Sequence, residues 1–145
     1  MSIDIDSVKA WIKKCEGFKD MPYLDSVRKL TIGFGRNLQD NGISIEEADY
    51  MLSNDINRSI KELEQYSWYL MQPDSVKAAL INMNFNLGLS RLLTFRKMID
   101  ALINRNYTIA SKEALESDWS KQVGDRAKDV ALMIREGSDA ETGRN

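Results

Sequence analysis

One break in the hydrophobic rhythm constrains this chain more than any other feature. Ile5, Val8, Trp11, Ile12 and Cys15 recur at three- and four-residue steps, and Ala48, Met51, Leu52, Ile56, Ile60 and Leu63 do so again, which predicts two amphipathic helices. Between them, residues 18–36 follow another pattern. Tyr23, Leu24, Val27, Leu30, Ile32 and Phe34 are interrupted by Pro22, Asp25-Ser26, Gly33 and Gly35, as expected of a small antiparallel sheet. The sequence therefore predicts an α+β chain, mostly α-helical, with its sheet near the N-terminus.

The punctuation around these segments is specific. Asp4 or Asp6 can cap the first helix, and Gly17 is its natural stop, which leaves Glu16 in the last turn. Asp40-Asn41-Gly42 marks a turn, and Ser44 with Glu47 three residues later forms a capping box for the second helix, which extends to about Tyr66. At roughly twenty residues that helix is long enough to be a spine between two lobes or an ordinary core helix. Pro73 sets the start of a helix through Val76, Leu80, Met83 and Leu87 to Gly88; it is apolar on most sides and should be central. Residues 95–104, 109–116 and 126–135 read as further helices, with Gly137 closing the last of them. The final eight residues are polar and expected to fray.

Composition removes several chemistries. Histidine is absent and Cys15 is the single cysteine, which excludes Ser-His and Cys-His nucleophile systems, histidine-ligated zinc and an internal disulfide. No metal or cofactor motif is present. The net charge of −2, with acids and bases interspersed, provides no basic stripe for nucleic acid. No run is long enough to span a bilayer and the start lacks a basic n-region before an apolar stretch, so neither membrane insertion nor a signal peptide is expected. With 145 residues, the chain suits one compact domain or two small lobes.

Carboxylates remain as the favoured acid–base groups. Glu16, at a helix C-terminus whose partial negative charge favours the protonated acid, stands nine positions before Asp25, in a predicted turn, and Thr31 follows on a strand. Each also has an ordinary reading: a solvated helix-end Glu, a turn-forming Asp bonded to its own backbone, a β-branched strand residue.

These residues, the strand Leu30-Thr-Ile-Gly-Phe-Gly35, the block Ala79-Leu-Ile-Asn-Met-Asn-Phe-Asn-Leu-Gly88 and the block Ser117-Asp-Trp-Ser-Lys-Gln-Val-Gly-Asp-Arg-Ala-Lys128 together resemble the T-even phage lysozymes, glycoside hydrolase family 24. The resemblance, which runs over about residues 5–137, implies a lysozyme-like fold. A small sheet-containing lobe (about 15–65) and a larger helical lobe (66–145 plus 1–14) are joined by a long helix, with the substrate cleft between them. It implies an inverting muramidase cutting the β-1,4 bond between N-acetylmuramic acid and N-acetylglucosamine of bacterial peptidoglycan. Glu16 matches the general acid, Asp25 the carboxylate that activates water, and Thr31 the hydroxyl that helps hold it. Gly35, Asn37, Phe85, Asn86, Trp119 and Gln122 match positions lining or walling the cleft, although packing is an equal reading for Phe85 and Trp119.

Arg126 matches an arginine that pairs with the catalytic glutamate. Arg36 replaces a histidine and has Asp55 as its matching partner. The resemblance further implies a monomeric endolysin, needing no cofactor, held in the host cytoplasm until a separate pore-forming protein (holin) releases it to the wall. The rival readings are a lytic transglycosylase and a non-catalytic wall-binding or phage-tail module.

Overall fold

The computed structural model describes residues 2–141, which divide into two compact units on either side of a boundary between Tyr50 and Met51. The boundary falls inside a long helix.

The first unit opens with α1 (Ile5–Glu16). Asp4 caps it, taking the Ser7 N–H at 3.3 Å and the Ser7 hydroxyl at 2.7 Å, and Gly17 ends it by donating its N–H to Lys13. The helix is amphipathic as its spacing predicts, but nothing in this unit covers the stripe of Ile5, Trp11 and Ile12. Three antiparallel strands follow in the order β1 (Lys19–Leu24), β2 (Leu30–Gly33) and β3 (Arg36–Asn37). Thr31 on the central strand faces Tyr23 on one side and Asn37 on the other. The β1–β2 register shifts between Lys19 and Tyr23, the stretch holding Pro22, which has no N–H to give the ladder.

Residues 40–42, expected as a turn, instead end a one-turn helix, α2 (Leu38–Asn41), which Asn37 caps by accepting the Asp40 N–H at 3.0 Å. The predicted capping box is present at the start of α3 (Ile45–Leu63): Ser44 Oγ accepts the Glu47 N–H at 3.1 Å, and Glu47 Oε1 accepts the Ser44 N–H at 2.9 Å.

The second unit is helical: the rest of α3, then α4 (Ser67–Leu70), α5 (Asp74–Leu87), α6 (Leu89–Leu92), α7 (Arg96–Ile103), α8 (Tyr107–Leu115), α9 (Asp118–Val123), α10 (Asp125–Arg135) and α11 (Gly137–Glu141). As its apolar sides require, α5 is central, burying Val76, Ala79, Leu80, Met83 and Leu87, and α10 packs against both α5 and α8. Leu63, Leu80, Leu92, Leu102 and Ile134 are wholly withdrawn from solvent. Each such side chain contributes about 1.5–3 kcal/mol. Several polar groups inside are partnered across elements, while Asn84 Oδ1 and Ser75 Oγ have no partner. Gln72 donates to the Leu102 carbonyl at 3.1 Å and accepts the Tyr107 hydroxyl at 2.9 Å, while Ser111 donates to the Ala131 carbonyl at 2.9 Å.

Gly137, expected only to close α10, begins α11, and a Cβ there would lie 2.8 Å from Val76 Cγ2 and 2.9 Å from the Tyr107 ring. Of the eight terminal residues expected to fray, 138–141 belong to α11 and the remainder lie outside the described residues. Among the described residues no helix is long and apolar enough to cross a membrane. The fold is α+β and mostly helical, with one small antiparallel sheet.

Candidate active site

Glu16, Asp25 and Thr31 all belong to the first unit, and each is positioned by a different device. Glu16 is the last residue of α1. Its carboxyl end rests against the backbone of Gly35, so closely that a Cβ on that glycine would lie 2.9 Å from Glu16 Cδ. The flanking residues brace this approach. Phe18 and Phe34 meet with ring centroids 5.4 Å apart, and the Lys13 ammonium stands 5.1 Å from the Phe34 centroid, so the end of α1 and the β2–β3 turn are tied on both sides.

Asp25 opens the β1–β2 turn and performs the turn role that its residue type predicts. Its Oδ1 accepts the Val27 N–H at 2.9 Å and the Lys29 N–H at 2.8 Å, and its own N–H donates to the Lys29 carbonyl at 3.0 Å. Both side-chain bonds fall on Oδ1, which leaves Oδ2 as the chemically available oxygen. Thr31 is 3% exposed and donates its hydroxyl to the same Lys29 carbonyl, at 2.9 Å. One carbonyl oxygen thus receives both the Asp25 amide and the Thr31 hydroxyl, which fixes the two residues with respect to each other. Arg28, in this turn, has a φ of 63°, a left-handed conformation unfavourable for a side chain other than glycine.

Two other predicted site residues in this unit have structural tasks. Asn37 caps α2, and its amide donates to Asp40 Oδ2 at 2.9 Å. Arg36, whose expected partner is Asp55, pairs instead with Glu47: Nη1 to Oε1 at 2.9 Å and Nη2 to Oε2 at 2.5 Å, with a further bond to the Gly42 carbonyl at 3.0 Å. The physical reason is geometric. The capping box holds Glu47 in place, so a bidentate fork meets a preset carboxylate. Asp55 pairs with Arg58 at 3.7 Å. The Arg36 hydrogen bond, with help from the Ser44 N–H, lowers the Glu47 carboxyl from 4.5 to about 2 and raises Arg36.

Phe85, Asn86, Trp119, Gln122 and Arg126 lie in the second unit. Trp119, 3% exposed, is a core residue; its indole N–H donates to Asn86 Oδ1 at 2.7 Å and its ring meets Phe95 edge-on at 6.3 Å. Trp119 thus packs in the core of this unit, with the Asn86 amide as its hydrogen-bond acceptor. Gln122 is exposed. Phe85 is 45% exposed and lines a groove of about 250 Å³ with Leu52, Ile56, Ala78, Ile81, Asn82 and Arg126. Arg126 is held by Asn82, Nε to Oδ1 at 2.7 Å. A second groove, about 500 Å³, has Arg91, Arg96 and Lys97 on its rim with Glu113, Glu116 and Asp118. Of its lining, only Trp119 is a sequence candidate, because charges that converge from four helices leave no local pattern.

Comparison with known proteins covers both units. A family model described as phage lysozyme matches residues 13–137. Probable T4-type lysozymes 1 and 2 of Dictyostelium discoideum are each 24% identical to the chain, over 92% of it and 96% of their own length. The pre-baseplate central spike protein Gp5 of Enterobacteria phage T4 is 25% identical over 83% of this chain, which spans 22% of the spike protein. The matched stretch begins inside α1, before Glu16, and ends at the first residue of α11, taking in the sheet and both helical blocks: the chain belongs to the phage lysozyme family.

Proposed function

We propose that this chain is a muramidase that hydrolyses the β-1,4 bond between N-acetylmuramic acid and N-acetylglucosamine in bacterial peptidoglycan. The observation that carries the reading is the shared Lys29 carbonyl, which holds Asp25 and Thr31 as one unit on the sheet while Glu16 comes from a separate helix end. Two carboxyl groups in different surroundings are what glycoside hydrolysis requires.

Glu16 gives its proton to the glycosidic oxygen of the departing N-acetylglucosamine as the bond to C1 breaks. A water oxygen forms the new bond to C1 of N-acetylmuramic acid. Asp25 Oδ2 takes one proton from that water, Oδ1 being engaged by two backbone amides. Thr31, its own proton committed to the Lys29 carbonyl, offers the water an acceptor oxygen. Attack by water opposite the leaving group inverts the anomeric centre, and proton NMR of the first-formed product reads this directly: an α-anomer is expected, and a β-anomer would refute the direct displacement.

The test of the assignment is clearing of outer-membrane-permeabilised bacteria by the purified protein beside Glu16→Gln and Thr31→Val. The parent should clear the suspension and Glu16→Gln should not; equal clearing by both removes Glu16 from the chemistry. Thr31→Val keeps the buried volume and loses the hydroxyl, and should retain the fold with a lower rate.

A lysis role, with passage to the wall through a separate pore-forming protein, belongs to the same reading. Cell fractionation with and without such a pore tests it, and unaided arrival at the wall would contradict it. The likeness to a phage spike protein favours one second reading, a wall-engaging module without turnover. Retention on purified peptidoglycan with no soluble product would support that module.

A further inference from the structure

Among the described residues of the first unit, four glycines have a positive φ: Gly17, Gly33, Gly35 and Gly42. A Cβ on Gly17, Gly33 or Gly42 meets nothing within 4 Å. On Gly35, at φ +84°, it would lie 2.9 Å from Cδ, 3.0 Å from Oε2 and 3.2 Å from Cγ of Glu16. Backbone conformation explains a glycine at all four positions; at Gly35 a second demand is added, and it comes entirely from the carboxyl end of one side chain.

We propose that Gly35 is a positioning residue for the acid: its bare Cα is the surface against which the Glu16 carboxyl is seated, and a methyl group there moves the carboxyl. The proposal rests on Glu16 being the general acid and goes beyond the role implied for Gly35 by the resemblance, that of meeting the sugar. The seat is rigid on the glycine side. Phe34, next to Gly35, packs on Phe18 and lies under the Lys13 ammonium, while Arg36, on its other side, is clamped by Glu47 and the Gly42 carbonyl. The group able to yield is the flexible end of Glu16. An ordinary contact begins near 3.4 Å, so the carboxyl carbon must retreat by roughly 0.5 Å or more. Displacements on the order of 1 Å at a reacting group cost about a hundredfold in rate.

The experiment compares Gly35→Ala with Gly88→Ala, at φ +81°, which carries the same kind of positive-φ strain with nothing to strike and has no part in the seat. Activity is measured on solubilised wall glycan strands, and the Glu16 side-chain carboxyl is followed by its carbon-13 resonance. Gly35→Ala should lose on the order of ten- to a hundredfold in kcat with little change in KM, and its Glu16 resonance should move. Gly88→Ala should keep both while losing thermal stability.

An unmoved Glu16 resonance in folded Gly35→Ala overturns the proposal, as does a raised KM with kcat intact, which is the signature of a sugar contact. If the parent protein cleaves no wall polymer, the proposed function fails while the resonance comparison still decides the seating. Should Gly35→Ala not fold, the double variant Glu16→Ala/Gly35→Ala decides: recovery of the fold locates the collision at Glu16, and continued failure refutes it.

Discussion

Asn86→Ala should weaken the fold and leave the chemistry alone. Its amide oxygen is the acceptor for the indole N–H of Trp119, at 2.7 Å, and Trp119 is 3% exposed with Phe95 against its ring. Removing the amide strands that donor. A buried donor without a partner costs about 1–3 kcal/mol, and because this bond is only partly shielded the lower half applies, about 1–2 kcal/mol. Asn86 is itself exposed, so little apolar contact goes with it. For a chain of this size 1 kcal/mol moves Tm by about 2–4 °C, so a fall of about 2–8 °C is expected. The assay is melting followed by circular dichroism, beside wall clearing measured well below the transition. Asn86→Asp retains an acceptor oxygen at the same reach and should recover most of the lost Tm. An unchanged Tm with a tenfold loss of clearing would refute the reasoning and return Asn86 to the sugar-binding surface.

Three further outcomes follow from the same geometry. Glu47 has its carboxyl lowered to about 2, so the stability from its pairing with Arg36 is fully present above the ordinary value of 4.5 and is lost as pH falls from there towards 2; the Tm gap between the parent and Glu47→Gln should close across that window, and a gap that persists at pH 2 contradicts the pairing. Gly137→Ala forces a methyl group to within 2.8 Å of Val76 Cγ2, and urea unfolding should show a loss of about 1–3 kcal/mol, the usual cost of overpacking; an unchanged midpoint would mean the core yields freely. Arg28→Gly relieves a left-handed backbone and should stabilise the chain by about 1 kcal/mol, read as a rise in Tm; an unchanged or lower Tm would contradict the strain.

What the sequence makes legible is what neighbouring residues decide among themselves. Asp4 and Gly17 bound α1, Ser44 and Glu47 start α3, and Asp25 folds back on its own turn, because each interaction spans five residues or fewer. The apolar sides of α5 gave its central place for the same reason. Helices of one or two turns such as α4, α6 and α9 are too short to establish a period.

Long-range pairings were the illegible part. Nothing local tells Arg36 to choose Glu47, 11 positions away, or brings Trp119 to Asn86, 33 positions away. Glu16, Asp25 and Thr31, to which the proposed function assigns the acid, the water-activating carboxylate and the hydroxyl, are visible as residue types along the chain. The seating of Glu16 on Gly35 and the shared Lys29 carbonyl emerge only once the sheet is formed.

Whether Glu16 and Asp25 hydrolyse the wall glycan, as proposed, is read from mass spectrometry of the products released from purified peptidoglycan. Soluble fragments ending in a reducing N-acetylmuramic acid, each carrying the mass of one added water, are expected from the parent protein and none from Glu16→Gln. Fragments with a 1,6-anhydro end would show that no water is added and that Asp25 and Thr31 do not have the roles given them here, and an undigested wall with the protein bound to it would contradict the enzymatic reading altogether.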